Sequence, residues 1–483
     1  MDPRDRDYDD DDYRTGETTP LLADQPIPKS EPVTSSLLFE FRLLCQYSFP
    51  LILTYLLQYS FTVITTFAAG HLSADDLAAA SIGLMTMNII GYAIYEGMAT
   101  ALDTLCAQAH GSGQLTAVGL HVQRMLILMA IITVPIGAVW AFSPTILSAF
   151  VKQPHLAIKA GSFLRVSMIG VPGYFSFEAL KRFLQAQGEF KSAMVVLIIC
   201  APINAYLTWL FGFKLNMGLE GAALGQALAN DLRPILLLVY IVFFGKWSHQ
   251  CWGGFSRKAF QEWGLPVQLS IAGSLVNLGE WAAFEVLTFS TSYLSTEHIA
   301  AQTIMTTISI VMWHIPFSIS VAISTRIGHL IGAGLVPVAR RATSLYAVVF
   351  TVVGILDGAI LFLFRNQLGL IFSEDSTVQE LATKSMLAVG AFQLIDSIIC
   401  GCNGVLRGLG RQSVAACVVF AVNYLGAVPL AVWLELGSPG LELDGAWIGL
   451  GSGMVLIAII ECIYMKIIRW QDCVESVRSR EGL

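Results

Sequence analysis

Charged residues are scarce in this sequence. Asp, Glu, Lys and Arg make up 13% of the 483 residues, while hydrophobic residues make up 55% and the mean hydropathy is +0.65. Average soluble chains carry about 25% charged residues, so a soluble fold is excluded. The net charge of −7 comes largely from the N-terminal tail and does not indicate a nucleic-acid partner.

Sequence signatures of metal and nucleotide sites are also missing. The nine cysteines form no CxxC pair and no Cys/His zinc spacing. The Gly-x-Gly pairs at 111–113 and 332–334 lack the strand of a dinucleotide site and the Lys of a P-loop, so we interpret them as helix ends. Direct use of ATP by this chain is excluded, and we expect neither a cofactor nor a metal ion.

Long apolar runs dominate the remainder of the chain. A bilayer span needs about 20 apolar residues, and five runs of that length carry no charge: 43–70, 125–151, 192–213, 298–325 and 412–434. Allowing an isolated charge adds runs near 77–102, 160–180, 221–245, 265–293, 342–364, 385–406 and 445–465. The sequence therefore predicts an all-α integral membrane protein with twelve transmembrane helices.

The second half of the chain repeats the first. ALDTLCAQAHGSG at 101–113 matches AISTRIGHLIGAG at 322–334, and LEGAALG at 219–225 matches LDGAWIG at 443–449. LQAQG at 184–188 likewise matches LRGLG at 406–410, and all three offsets lie between 221 and 224 residues. Six helices per repeat is an even number, so both repeats enter the bilayer the same way round. This predicts two six-helix lobes that are parallel repeats, a common design of secondary transporters.

Positive charge in the loops predicts the orientation. With the N-terminus in the cytosol, the outer loops hold five basic residues, and most other Lys and Arg lie in the inner loops and the C-terminus. Both termini are therefore expected to be cytosolic. The predicted domains are a cytosolic tail (1–36), an N-lobe (37–250), a cytosolic linker (251–264), a C-lobe (265–470) and a cytosolic C-terminal tail (471–483).

The N-terminal tail is acidic and rich in Pro, Ser and Thr, so we expect it to be disordered. Its Glu17, Leu21 and Leu22 have the spacing of an acidic dileucine sorting signal of vacuolar and endolysosomal proteins. The alternative is a solvated leader without a motif. We expect a vacuolar or plasma-membrane protein, with sorting adaptors as partners if the motif is used.

Acids inside membrane spans are candidate functional residues because burying a charge in hydrocarbon is costly. Numbered in chain order, the predicted helix near 265–293 is helix 7. Its Glu280 and Glu285 lie five residues apart, about 140° and ~7.5 Å along a helix, so they can line one cavity at two depths. Trp281 and Phe284 lie beside them, and aromatic faces attract organic cations. Burial and a neighbouring acid both favour the protonated carboxyl, so this pair can exchange protons near neutral pH.

The other intramembrane acids differ in how well their positions fit a role in coupling. Asp396 is the one charge of helix 10 between Lys384 and Arg407 and is a third candidate for coupling. Glu96 in the middle of helix 2 is a reserve candidate. Asp103, where helix 2 approaches the cytosol, fits structural anchoring better than coupling.

Further acids are expected to be structural. We predict that Glu178 pairs with Lys181 at an interfacial helix end. Glu461 lies near the end of helix 12 and receives no role.

An enzyme active site is not supported. His71 and Asp76 have the spacing of some acyltransferases, but the segment 70–76 is an outer turn. Ser73 there is interpreted as the N-cap of helix 2, followed by acids in the first helical turn. A membrane enzyme is therefore the less favoured class.

Three segments make the chain resemble the multidrug and toxic compound extrusion (MATE) family, in its eukaryotic branch. They are GMATALDTLCAQA at 97–109, IPFSISVA at 315–322 with the run onward to Gly334, and GVLRGLGRQ at 404–412. The resemblance covers about 37–470. It implies a V-shaped pair of six-helix lobes that exports cationic or amphiphilic compounds in exchange for protons or sodium.

The resemblance also implies roles for single residues. Glu280 and Glu285 match the helix 7 acids of the family, and Asp396 matches its helix 10 acid as a shorter version. The helix 8 acid is missing, and Thr307 stands near its place. We expect Thr307, Trp313 and His314 to line the cavity together with Trp281 and Phe284.

The predicted function is a secondary active antiporter that exports organic cations or amphiphilic compounds by alternating access, with protons as coupling ion and sodium as the alternative. The expected partners are small-molecule substrates and the lipid bilayer, and the two-lobe chain is expected to act as a monomer. Two alternatives stay open: an organic-anion exporter and a lipid-linked precursor flippase. Intramembrane basic residues, which a flippase needs for phosphates, are scarce (Arg165 and Arg233).

Overall fold

The computed structural model describes residues 36–150, 153–245, 248–291, 293–372 and 376–482. Helices account for nearly all of these residues, and no strand occurs among them. The N-terminal tail with Glu17, Leu21 and Leu22 lies outside the described residues, so its sorting motif stays a prediction.

Six long helical segments form the N-lobe. Three of them, α2, α4 and α5, change helical type along their length, where a short π- or 3₁₀-helical stretch continues the α-helix. The segments are α1 (Leu37–Leu72), α2 (Ala74–Met87, Asn88–Tyr92 and Ala93–Gly111), α3 (Leu115–Ala141), α4 (Pro154–Ser167, Met168–Gly170 and Val171–Gln185), α5 (Lys191–Trp209 and Leu210–Lys214) and α6 (Gly218–Phe244).

Six more segments form the C-lobe, and a short helix follows them. These are α7 (Gly264–Thr291), α8 (Thr296–Gly332), α9 (Val336–Phe372), α10 (Ser376–Gly408), α11 (Gln412–Val422, Asn423–Ala427 and Val428–Leu436), α12 (Glu442–Ile467) and α13 (Trp470–Glu481). The twelve long segments confirm the predicted number of helices. Ten of the helices within the described residues are long and apolar enough to cross a membrane.

One predicted helix boundary was wrong. The uncharged run 125–151 was predicted as one helix, but α3 ends at Ala141 and a separate short helix spans Ser143–Phe150. The hydroxyl of Ser143 donates to the carbonyl oxygen of Trp140 at 2.6 Å and so satisfies an end of α3. Both helices are apolar, so hydropathy alone could not show the break.

The turn between α1 and α2 is a helix cap. The Ser73 hydroxyl accepts a hydrogen bond from the backbone N–H of Asp76 at 3.0 Å, which confirms the predicted N-cap. The Asp76 carboxylate pairs with Lys159 at 2.8 Å, and the His71 ring bonds the carbonyl oxygen of Phe67. The two residues of the acyltransferase-like spacing therefore have separate structural partners.

The two lobes meet along the repeated segments of α2 and α8. A Cβ on Gly111 would lie 2.3 Å from the carbonyl oxygen of His329, and a Cβ on Gly332 would lie 2.2 Å from that of Gln108. These two contacts are related by the 221-residue offset of the sequence repeat, since 108 and 111 correspond to 329 and 332. The interface is therefore self-complementary, as a two-fold axis between equivalent elements requires, and its glycines allow the two backbones to touch.

Polar contacts continue this interface at the end of the bundle that is rich in Lys and Arg, called the basic end below. The Thr104 hydroxyl donates to the carbonyl oxygen of Arg407 at 2.6 Å, and the Gln108 amide donates to that of Gly408 at 2.8 Å. Asp103 lies 3.9 Å from the Arg407 guanidinium. We call these five residues, which join α2 to α10, the basic-end seal.

The predicted inter-lobe linker packs against the basic end of α3. The Gly119 N–H donates to the carbonyl oxygen of Cys251 at 3.1 Å, and the Gln123 amide donates to that of Gly254 at 2.8 Å. Arg124 pairs with Glu262 at 2.8 Å. This linker is therefore attached to the N-lobe and is not a free tether.

The predicted C-terminal tail contains helix α13, which docks at the basic end. Trp470, Val474 and Val477 are buried. The Arg480 guanidinium donates to the Gln108 side chain at 3.1 Å. Burial opposes ionisation of Glu481, but the neighbouring His121 and Arg480 outweigh it and lower the pKa of this carboxyl. The helix thus reinforces the contact surface beneath both lobes.

Val474→Asp should detach α13 from the lobes. The side chain is 1% exposed, so an aspartate there costs about 2 kcal/mol or more in lost burial and unpaired charge. We expect a lower unfolding temperature in detergent and faster proteolysis of a C-terminal epitope. Ser476→Asp, on the exposed face of the same helix, is the matched control, and equal behaviour of the two variants would contradict the docking.

Candidate functional site

A central cavity of about 250 Å³ lies between the two lobes. Helices α1, α2, α4 and α6 line its N-lobe side, and α7, α8, α10, α11 and α12 line its C-lobe side. Its aromatic and charged lining residues are Tyr55, Tyr59, Phe61, Tyr92, Glu96, Tyr174, Arg233, Glu280, Trp281, Phe284, Glu285, Trp313, His314, Phe317, Phe392, Asp396 and Trp447. Apolar and aromatic side chains together make up most of the lining, as is usual for a small-molecule site.

Helix α7 brings two carboxylates into this cavity. Glu280 and Glu285 both line it, and so do Trp281 and Phe284. The ring centroid of Phe284 lies 5.9 Å from that of Trp447 on α12. The structure thus gathers the four α7 residues singled out in the sequence around one space, with the acids at different depths along the helix.

Helix α10 adds a third carboxylate. Asp396 lines the cavity together with Gln393, one turn earlier on the same helix. The charges of Asp396 and Glu280 are close enough to interact, and Asp357 of α9 interacts with Asp396 in the same way. The acids that line the C-lobe side of the cavity therefore come from two helices, α7 and α10.

Helix α8 supplies an aromatic wall. Trp313 and Phe317 stack with ring centroids 4.3 Å apart, and His314 lies 5.4 Å from Tyr59 of α1. Nδ1 of His314 donates to the carbonyl oxygen of Ile310 at 2.6 Å, which leaves Nε2 as an acceptor. Trp313 and His314 both line the cavity.

Thr307 is not placed in the cavity lining. Its hydroxyl donates to the carbonyl oxygen of Thr303 at 2.8 Å, while the neighbouring Thr306 lines the cavity. One residue along a helix turns a side chain by about 100°. The correction is therefore one of helical register.

The N-lobe side holds a connected network of polar groups. The Tyr174 hydroxyl donates to Glu96 at 2.5 Å, and the Gln58 amide donates to Glu178 at 3.0 Å and to Glu96 at 3.3 Å. Lys181 pairs with Glu178 at 2.8 Å, with both side chains fully buried. The predicted Glu178–Lys181 pair is present, but it lies in the interior and not at an interfacial helix end.

The N-lobe holds two further charged groups, of which one lines the cavity and the other does not. Asp103 lies outside the cavity, 3.2 Å from Arg182 and 3.9 Å from Arg407, so it belongs to the basic-end seal. Arg233 lines the cavity, where its guanidinium lies 4.5 Å from the Phe61 ring centroid and donates to Asn230. The sequence had singled out Arg233 only as a rare intramembrane cation.

Sequence reasoning missed the neutral members of the site. Gln58, Tyr174 and Asn423 line the cavity, and each makes a hydrogen bond to another helix. Uncharged polar residues are common in transmembrane helices, so no signal in a single sequence distinguishes these from others. Their positions become evident only when the helices are assembled.

Glu280 also lines a second, smaller cavity. This space of about 30 Å³ lies on the basic side of the central cavity, and Thr100, Ser320, Arg407 and Gln412 line it as well. Glu280 therefore stands between the central cavity and the polar contacts of the two lobes.

Two repeated six-helix lobes around a central cavity are a common architecture of secondary transporters. The MatE family model matches residues 50–210 and 274–433, more than half of the chain. The chain belongs to the MATE family. Its members are transporters and not enzymes, and they need no cofactor.

Relatives and solved structures agree with this assignment. An uncharacterized transporter of Saccharomyces cerevisiae is 38% identical over 433 residues, 89% of this chain and 62% of that protein. Multidrug and toxin extrusion protein 1 of Xenopus tropicalis is 28% identical over 89% of this chain and 75% of its own length. The crystal structure of the eukaryotic MATE transporter AtDTX14 matches with a TM-score of 0.88 at 26% identity, covering 92% of this chain and 99% of that one. The chain thus spans less than two thirds of the yeast relative's length.

Proposed function

We propose that the protein is a secondary active antiporter that exports organic cations or amphiphilic compounds in exchange for protons. The observation that carries this proposal is the charge of the central cavity. Among its described lining residues, four carboxyl groups (Glu96, Glu280, Glu285 and Asp396) face one guanidinium, Arg233. Such a surface with aromatic walls attracts organic cations and repels the phosphates of a lipid-linked precursor.

The C-lobe acids are the groups that we assign to coupling. Within the described residues, Glu280, Glu285 and Asp396 form no ion pair, whereas Glu178 is held by Lys181. A carboxyl group without a fixed cation is free to exchange a proton for a cationic substrate. Glu96 is instead held by hydrogen bonds from Tyr174 and Gln58.

The proposed cycle uses one set of acids for both ligands. When the cavity faces the cytosol, the ionised Glu280 and Glu285 attract a cation. After the lobes rock outward, protonation removes the counter-charge and releases the substrate, and the neutral carboxyls make the return step less costly. Substrate and proton compete for the same groups, so exchange is obligatory.

The structure is closed at the basic end, which supports an outward-facing state if that end is cytosolic. Positive loops are retained in the cytosol, so we propose that both termini are cytosolic and that the protein works in the vacuolar or plasma membrane. Both walls of the cavity come from one chain, which supports a functional monomer.

Purified protein in liposomes should export a fluorescent organic cation after a pH jump, with and without sodium. Glu285→Gln removes one of the competing acids, so we expect transport to fall by about tenfold or more. An anionic dye of similar size is the control substrate. Transport of the anion instead of the cation would reject the proposed substrate class, and dependence on sodium alone would reject proton coupling.

A further inference from the structure

The inter-lobe linker runs along the first three turns of α3. The backbone N–H of Ser256 donates to the Gln123 side chain at 3.1 Å, and Glu262 pairs with Arg124 at 2.8 Å. Later residues of the linker thus contact later residues of α3, which starts at the basic end. The linker therefore rises along α3 from the basic end toward the membrane.

These contacts place the linker at the edge of the apolar span of α3. The helix starts with Leu115, and Arg124 is its last charged residue before the uncharged stretch 125–141. That stretch is about 25 Å long at 1.5 Å per residue, which is close to the roughly 30 Å of the hydrocarbon core of a bilayer. The linker residues beside Arg124 therefore lie where the hydrocarbon ends and the lipid headgroups begin.

Two aromatic rings and two cations are exposed at this level. Phe255 is 93% exposed and Phe260 is 68% exposed, and Arg257 and Lys258 between them are exposed as well. Among the residues that the structure describes, neither cation takes part in an ion pair. Basic residues together with exposed aromatic rings are typical of segments that lie in the interfacial region of a membrane.

The backbone of this segment is held in place from below. The Ser256 hydroxyl accepts a hydrogen bond from the backbone N–H of Lys258 at 3.2 Å and so caps a short 3₁₀ turn. The indole N–H of Trp263 donates to the carbonyl oxygen of Ala259 at 2.7 Å, and Ala259 itself is buried. The exposed side chains therefore stand on an ordered backbone, so a ligand does not need to order the segment first.

We propose that residues 255–260 form a binding site for anionic phospholipid headgroups at the membrane surface of the basic end. Arg257 and Lys258 bind the headgroup, since guanidinium and ammonium groups bind phosphate and basic residues are attracted to an anionic leaflet. Phe255 and Phe260 contact the adjoining lipid. Because the linker is attached to the N-lobe, bound lipid holds this lobe to the leaflet. The inference does not depend on which substrate or coupling ion the protein uses.

The test is hydrogen exchange of the peptide 252–263, measured by mass spectrometry on the full chain in nanodiscs. One set of nanodiscs contains phosphatidylcholine alone, and the other contains added phosphatidylserine. We expect exchange of this peptide to be about fivefold slower with phosphatidylserine, because bound anionic lipid protects the segment. The double variant Arg257→Gln with Lys258→Gln should remove this difference. Phe260→Ser should speed exchange in both lipid mixtures.

The matched control is Arg340→Gln with Arg341→Gln, which removes two exposed cations from the start of α9 and should leave the lipid effect on the linker peptide intact. Equal exchange of the wild type in both mixtures would overturn the site, as would a lipid effect that persists without Arg257 and Lys258. Unchanged exchange in Phe260→Ser would contradict the contact of the ring with lipid. If inorganic phosphate added to phosphatidylcholine nanodiscs slows exchange as much as phosphatidylserine does, the site binds free phosphate and the lipid proposal fails.

Discussion

Glu280→Gln should reduce proton-driven export of an organic cation by about 100-fold, the scale on which a positioned proton-transfer group acts. Glu280 lines both the central cavity and the smaller one on the basic side. It is therefore the acid that either side of the membrane can reach as the lobes rock. Glutamine keeps the shape of the side chain but neither loses a proton nor attracts a cation, so both halves of the exchange should fail.

The measurement is pH-jump efflux from liposomes, with substrate binding measured separately by fluorescence. Glu435→Gln is the matched control, because Glu435 is a buried acid of the same lobe that accepts hydrogen bonds from Ser290 and Thr291. We expect this control to transport within about twofold of the wild type, since its acid has fixed partners outside the cavity. Wild-type efflux by Glu280→Gln would show that coupling runs through another acid.

Much of this fold could be predicted from the sequence, because few backbone structures can span a bilayer. Each span must be a helix that satisfies its own backbone, so apolar runs give the number of helices. The repeat gives their division into lobes, and the 221-residue offset reappears as the paired contacts of Gly111 with His329 and Gly332 with Gln108. The helix break after Ala141 was not predicted, because hydropathy does not record where one apolar helix ends and the next begins.

Within the site, it was mainly the charged residues that could be predicted from the sequence. Glu280 and Glu285 stand out in an apolar run, and the structure places both in the cavity. The depth of Glu461 was not predicted, because its place near a helix end suggested an interfacial position, whereas it is fully buried. Depth within a bundle depends on how the helices pack, and one sequence does not record this.

The contact of α2 with α8 leads to the last prediction. A Cβ on Gly332 would lie 2.2 Å from the carbonyl oxygen of Gln108 and 2.8 Å from the N–H nitrogen of Ser112. Both are backbone atoms, so the helices themselves must separate. Gly332→Ala should therefore prevent full closure of the basic end and lower transport by about tenfold, a loss comparable to about 1.4 kcal/mol, although alanine favours an isolated helix by about 1 kcal/mol over glycine.

Gly426→Ala is the control that separates the steric effect at the α2–α8 contact from the change in helix propensity. Gly426 lies in the π-helical part of α11, and nothing lies within 4 Å of a Cβ added there. This control should transport normally. Hydrogen exchange measured by mass spectrometry should rise in Gly332→Ala at 104–112 and 406–412, where the basic-end seal joins the lobes, since opened contacts lose protection. Unchanged exchange there, with normal transport, would mean that the glycines are not required for closure and that the lobes seal through their polar contacts alone.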